Sequence, residues 1–225
     1  MDFIFMLTRG DKTVEDCLDV FDQIAPLGLK HVGFKDVGVE PATLRKLVDR
    51  IRSAGAISYM EVVSDTPEAA LNSARIGAEL GIDRLLGGTD VQRVGEILQG
   101  THTKYYPFPG FPVGHPTRLG GGPGDVPSQC AAFMAQGCAG ADLLAFRATE
   151  ADPLDLVRAA RKGLGPNGYL IVAGSITSAE RIKAVAAAGA DAFTIGTAVF
   201  DGSYSPRKGS ILSQLGDVIA DSAAA

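Results

Sequence analysis

Eight short apolar runs alternate with eight longer helical patterns along this 225-residue chain. The runs are Phe3–Leu7, His31–Lys35, Ile57–Val63, Arg84–Gly87, Thr103–Phe108, Asp142–Arg147, Tyr169–Ala173 and Ala192–Ile195. The helical patterns span Val14–Ala25, Pro41–Ala54, Pro67–Leu80, Val91–Gln99, Pro127–Gln136, Pro153–Gly163, Ser178–Ala188 and Ser210–Ala220. Strict alternation predicts parallel strands joined by helices. Thr66-Pro67-Glu68 and Thr177-Ser178-Ala179-Glu180 read as helix starts. Gly28, Gly55, Gly81 and Gly189 follow helical stretches, where a left-handed cap is expected.

Eight such units fit a closed barrel or an open doubly wound sheet, and an internal repeat separates the two. Leu27–Lys35, Leu80–Gly88, Ala139–Arg147 and Ala188–Gly196 are similar segments, each opening an even-numbered strand. Spaced by roughly 50–60 residues, they define four quarters of two strand–helix units each. Alternate strands are equivalent in a closed barrel but not in an open sheet. The expectation is an α/β chain forming a single (β/α)₈ TIM barrel with an eight-stranded parallel core over residues 1–225. One long Gly- and Pro-rich irregular segment, 107–125, follows strand 5 and so lies on the face where barrel active sites are built. It reads as a lid, or else as a mobile insertion or subunit contact.

Ala, Gly, Val, Leu and Ile supply most of a composition that is 46% hydrophobic and lacks Trp, which suits parallel strands covered by helices. The net charge of −5 argues against a nucleic-acid partner, which usually meets a basic stripe. No apolar stretch approaches the roughly 18 residues of a bilayer span, and the N-terminal MDFIFMLTRGD reads as a first strand, not a signal peptide. Cys17, Cys130 and Cys138 are too few and too scattered for a disulfide framework; they read as small buried side chains of a reducing compartment. These features predict a cytoplasmic protein. Its oligomeric state is open: barrel helices often pair into homo-oligomers, but no exposed stripe marks a contact.

The strongest chemical signal is Ile171–Ser178 followed, one helix later, by Gly189–Phe200. Glycine lets the backbone approach an anion closely, because no Cβ intervenes. Amides of the turns after strands 7 and 8, with a helix N-terminus nearby, would point at phosphate oxygens. Gly174 and Ser175 would form one side of that cradle, and Gly196 and Thr197 the other. Alternatively, these glycines serve only tight turns. Over about 30 residues the two turns resemble the phosphate-binding (β/α)₈-barrel superfamily, which includes histidine-biosynthesis isomerases, thiamine-phosphate synthases, phosphosugar epimerases and several FMN-dependent enzymes. The resemblance implies a phosphate-bearing ligand without naming a reaction. Histidine-biosynthesis isomerases carry an Asp near the end of strand 1 and another on strand 5, whereas this chain has Thr8 and Arg9 after strand 1 and Lys104 with two tyrosines in strand 5. Pentulose-phosphate epimerases hold a metal with two His and two Asp. Here His31 and His102 fall at the opposite end of the barrel and His115 in the long loop, so the expectation is a site without a metal.

Counting from each repeat's glycine, Lys35, Gly88, Arg147 and Gly196 fall at one level. Alternation turns Val32 and Phe34 toward the helices and Lys35 inward. The same reasoning turns Leu144 and Phe146 outward and Arg147 inward. Two cations converging at the mouth need an anionic ligand or a carboxylate partner. Glu61, in an otherwise apolar strand, is the natural partner and a candidate general base. Lys35 is then an acid, an electrostatic stabiliser or a Schiff-base lysine, Arg147 an oxyanion ligand, and Lys104 a second candidate cation. The alternative is a structural ion-pair network. Asp36, Asp65 and Asp90, just after strands 2, 3 and 4, read first as caps or turn residues. The functional expectation is a metal-independent isomerase, epimerase or aldol-type lyase of carbohydrate metabolism, acting on a small phosphorylated sugar or keto compound without a cofactor. Two alternatives are an FMN-dependent oxidoreductase and a non-catalytic barrel that binds a phosphometabolite.

Overall fold

A computed structural model describes residues 1–63, 66–114 and 116–225. Its eight main strands are β1 (Asp2–Met6), β2 (His31–Lys35), β3 (Ile57–Val62), β4 (Arg84–Gly87), β5 (Lys104–Tyr106), β6 (Gly140–Leu143), β7 (Tyr169–Val172) and β8 (Ala192–Ile195). The helices are α1 (Cys17–Ile24), α2 (Pro41–Ser53), α3 (Pro67–Leu80), α4 (Val91–Leu98), α5 (Val126–Ala135), α6 (Pro153–Leu164), α7 (Ala179–Ala187), the single turn α8 (Thr197–Phe200) and α9 (Ile211–Ala223). All ladder pairings are parallel, in the order β6-β7-β8-β1-β2-β3-β4-β5. The Ala139 amide donates to the Tyr105 carbonyl (3.0 Å) and the Asp142 amide to that of Pro107 (3.1 Å), so β5 meets β6 and the ring closes. The chain is a (β/α)₈ barrel.

Side-chain alternation builds two cores. Phe3, Phe5, Val32, Phe34, Leu143 and Phe193 belong to the layer between strands and helices. Ile4, Met6, Tyr59, Leu86, Tyr106, Ile171 and Ala192 fill the bore. At the N-terminal end the Arg84 guanidinium lies over three rings, 5.1 Å from the centroid of Tyr59, 5.6 Å from Tyr106 and 4.8 Å from Tyr169. His31 closes the same end, its Nδ1 2.8 Å from the Tyr59 hydroxyl. Gly33 leaves room for the Met6 sulfur, which a Cβ there would strike.

Several expected boundaries move. Strand 1 is shifted one residue toward the N-terminus, and strand 5 keeps only Lys104–Tyr106 of Thr103–Phe108. The largest change is strand 6, which runs Gly140–Leu143 in place of Asp142–Arg147, followed by a 3₁₀ turn over Ala145–Arg147. The Ala139 amide donates to Tyr105 O as the Asp191 amide donates to Leu170 O, so Ala139 is the spatial counterpart of Asp191. The third repeat is therefore displaced by three residues from its sequence alignment, and Arg147 is not level with Gly196. The inward set on β6 is Gly140 and Asp142, because Ala141 and Leu143 pack in the outer layer. Segment 107–125 is not wholly irregular: Phe111–Val113 and Arg118–Gly120 pair as an antiparallel ribbon. Leu119 of that ribbon is buried and accepts a bond from the Thr149 amide. Among the described residues no helix is long and apolar enough to cross a membrane.

Candidate functional site

A hairpin that alternation did not foretell completes the mouth. Thr8–Arg9 pairs antiparallel with Lys12–Thr13 across a two-residue turn, Gly10-Asp11, both at positive φ (58° and 62°). Two positive φ values mark the type I′ turn that suits strand twist. The hairpin is pinned from below: the Thr13 hydroxyl accepts from the Lys35 amide and donates to the Lys35 carbonyl, both at 2.8 Å. Asp11, at the tip, thereby hangs over the end of β2.

Asp11 becomes the hub of a buried charge cluster. Its Oδ1 accepts from Lys35 Nζ at 2.8 Å, and Arg147 grips both of its oxygens at 2.8 Å, the bidentate geometry a guanidinium favours. Lys35 Nζ also lies 3.4 Å from Glu61 Oε1. The 3₁₀ turn after β6, not strand alternation, delivers Arg147 to the mouth. Its NH1 also donates to the Thr117 carbonyl in the long segment (3.3 Å). Burial acts to raise the Asp11 pKa, but the Arg147 hydrogen bonds and the Lys35 charge outweigh it and hold the carboxyl below the usual range. Burial acts to lower the Lys35 pKa, and Glu61 and Asp11 together overcome it, so the ammonium is held above the ordinary lysine value.

The sign of a pH effect follows. A carboxyl whose folded pKa is depressed contributes stability that is present above its unfolded pKa and lost as pH falls. We predict that Asp11→Asn lowers stability at neutral pH by about 2 kcal/mol and flattens the decline on acidification. Urea unfolding across the acidic range measures both. An unchanged acid limb would remove Asp11 as its source.

Across the cavity stand the two glycine turns. Gly174 has φ 79° and Ser175 φ 58°. Among the described residues Asp11 and Ser175 are the two non-glycine residues at positive φ, and both line this cavity. Such conformations cost on the order of 1–3 kcal/mol each and concentrate at functional sites. Arg147 folds over Gly174, where a Cβ would come within 2.5 Å of Nε. At Gly196 a Cβ would meet Thr8 Oγ1 at 2.5 Å and the Met6 carbonyl at 2.9 Å. The amides of Gly174, Ser175 and Ile176 make no hydrogen bond among the described residues.

One cavity of about 360 Å³ brings together Lys35, Glu61, Arg147, Gly174, Ser175, Gly196 and Thr197, with Asp11, Thr8 and Pro116. Lys104 is not among them. It begins β5 beside Arg84, exposed at the N-terminal end, because the inward face at that level belongs to the bottom of the bore. Asp36 accepts from the Val63 amide and the Ser73 hydroxyl, tying β3 to α3, and Asp90 caps α4 by accepting from the Arg93 amide. Asp65 and His115 lie outside the described residues.

Two carboxyls of the cluster escaped the reading by alternation. Asp11 was signalled by Gly-Asp between short polar strands, a two-residue hairpin pattern. Asp142 was signalled only by the true register of β6, in which it faces the bore. It is fully buried, and among the described residues neither carboxyl oxygen has a hydrogen-bond partner. Burial, reinforced by the Glu61 charge, raises its pKa well above the carboxylate range, with Lys35 and Arg147 pulling the other way.

Solved structures share this architecture. The chain aligns with orotidine 5′-phosphate decarboxylase from Pyrococcus horikoshii OT3 at 14% identity and a TM-score of 0.62, covering 98% of each chain. It aligns with native KDPGal at 12% identity and a TM-score of 0.65, covering 98% of this chain and 97% of that one. The Amycolatopsis orientalis BexX/CysO complex gives 20% identity and a TM-score of 0.63, covering 99% of this chain and 88% of that one. What they share is the barrel. No protein-family model and no curated protein matches the sequence.

Proposed function

We propose that this barrel binds a small phosphorylated sugar or keto compound and acts on it as an isomerase, epimerase or aldol-type lyase. The observation that carries the reading is that one cavity is lined both by a glycine turn whose amides make no hydrogen bond among the described residues and by a lysine held between two carboxylates. Its volume, about 360 Å³, falls at the small end of ligand sites. The phosphate would rest against Gly174, Ser175, Gly196 and Thr197. A structural neighbour named for a 5′-phosphate substrate, orotidine 5′-phosphate decarboxylase, accords with this.

In this reading Glu61 takes a proton from the carbon beside a carbonyl, and the bonding pair moves onto the carbonyl oxygen. The Lys35 ammonium stabilises that oxyanion. Because Asp11 and Glu61 keep Lys35 protonated, it enters as a charge and proton donor, not as an amine nucleophile. Arg147 holds Asp11, and through it Lys35. The scheme needs neither a metal nor a flavin.

Calorimetric titration with inorganic phosphate and phosphosugars is the test. Binding is expected in the wild type and a loss of at least about tenfold in Gly174→Val, whose Cβ would displace Arg147. A soaked crystal should show the anion against the two turns. No binding, or an anion seated elsewhere, would end the reading.

A further inference from the structure

Asp142 has no structural task that an apolar residue could not perform. Its amide continues the β5–β6 seam, but its side chain lies on the bore side of β6 level with Ile171, wholly shielded from solvent, and among the described residues neither oxygen has a hydrogen-bond partner. An unsatisfied buried carboxyl is costly. The charged groups that act on it are Glu61 on β3, Lys35 on β2 and Arg147 on the turn after β6. Asp11, on the hairpin, is already engaged by both cations.

Charge counting gives this carboxyl a role. Lys35 and Arg147 balance Asp11 and Glu61, so the floor of the cavity is neutral when Asp142 carries its proton. Ionised, Asp142 would add a third negative charge beneath a site that, in the reading above, receives a dianion. It would also compete with Asp11 and Glu61 for Lys35. We propose that Asp142 is a positioning residue: as a neutral acid it keeps Lys35 between Asp11 and Glu61 and leaves the cavity free to accept an anion. Phosphate binding and Asp142 protonation are then linked, each favouring the other.

The test follows inorganic phosphate affinity with rising pH in the wild type and in Asp142→Asn, which keeps the shape of the neutral acid. Phosphate becomes more fully dianionic as pH rises, so its own ionisation would not weaken binding. Wild-type affinity is expected to fall by at least about tenfold relative to the variant on the alkaline side. Parallel curves would overturn the proposal. An infrared measurement on the wild type keeps it falsifiable if the variant does not fold. A buried carboxylic-acid carbonyl band should be present at neutral pH, fade as pH rises and return on adding phosphate; its absence at neutral pH would overturn the proposal. The proposal rests on the phosphate reading, yet the two fail differently. If phosphate does not bind at any pH, the cradle is wrong. If phosphate binds but the band is missing, the role of Asp142 is wrong.

Discussion

In Lys35→Met, turnover of a phosphorylated keto substrate is expected to fall by about a hundred- to a thousandfold, the usual effect of removing a charge aimed at a developing oxyanion. Inorganic phosphate should still bind, since the glycine turns are untouched, but about tenfold more weakly, because the cavity floor loses one of the two cations that balance Asp11 and Glu61. Stability should fall as well. Removing the cation from between Asp11 and Glu61 leaves Asp11 with Arg147 alone and takes from buried Glu61 the cation beside it, which costs about 3–5 kcal/mol. The pH dependence separates the two effects. The folded pKa of Lys35 is raised, so its contribution is present below the ordinary lysine value and lost as pH rises through the higher folded value. In the variant Asp11 loses one of the two cations that hold its carboxyl ionised and takes up a proton more readily, so the deficit should shrink on acidification while turnover does not recover. Urea midpoints and steady-state rates at neutral and mildly acidic pH measure both. Retained turnover would remove Lys35 from the chemistry.

Gly140→Ala should be the most damaging conservative change in the barrel wall. A Cβ at Gly140 would overlap the Tyr169 carbonyl oxygen and lie 2.7 Å from the Tyr169 carbonyl carbon and amide nitrogen. These are backbone atoms and cannot rotate aside. Gly140 is the register partner of Tyr169 in β7, and the adjacent Ala139 amide makes the bond that joins β6 to β5. Forcing β6 away from β7 therefore strains the closing seam too. The expected loss is about 3 kcal/mol, at the upper end for overpacking, read as a lower urea midpoint. A change below about 1 kcal/mol would mean that the seam can open to admit a methyl group.

Much of this molecule is written in alternation and punctuation. The crossover count, the helix cap at Thr66 and the inward placement of Lys35 follow from local rules, and each has its structural counterpart, whereas α7 is capped by Ser178, one residue beyond the Thr177 that a capping box with Glu180 would use. Strand 6 shows where such rules stop. Repeat similarity fixed the segment but not its register. Ala-Gly-Ala-Asp occurs at both Asp142 and Asp191, yet only Asp191 precedes its strand, with its carboxylate bonded to the Leu170 amide. Residue identity alone does not distinguish the two, because hydrogen bonds to β5 decide where β6 begins. Arg147 arrives at the expected place by an unexpected route, a tight turn in place of the end of a strand. Asp11 was legible as a hairpin residue, but its hold on two cations depends on β2 and the β6–α6 connection, more than twenty residues away for the nearer one.

The plug of Arg84 and three tyrosine rings has a consequence for the fate of hydrogen atoms. With the lower end filled by these side chains, Glu61 opens onto the cavity at the mouth, the place a seated ligand would occupy. A hydrogen lifted from the ligand by Glu61 would then be handed back to the same molecule before it could be washed out. Tritium or deuterium placed on the reacting carbon should consequently survive into product, a memory that a bore open at both ends would not keep.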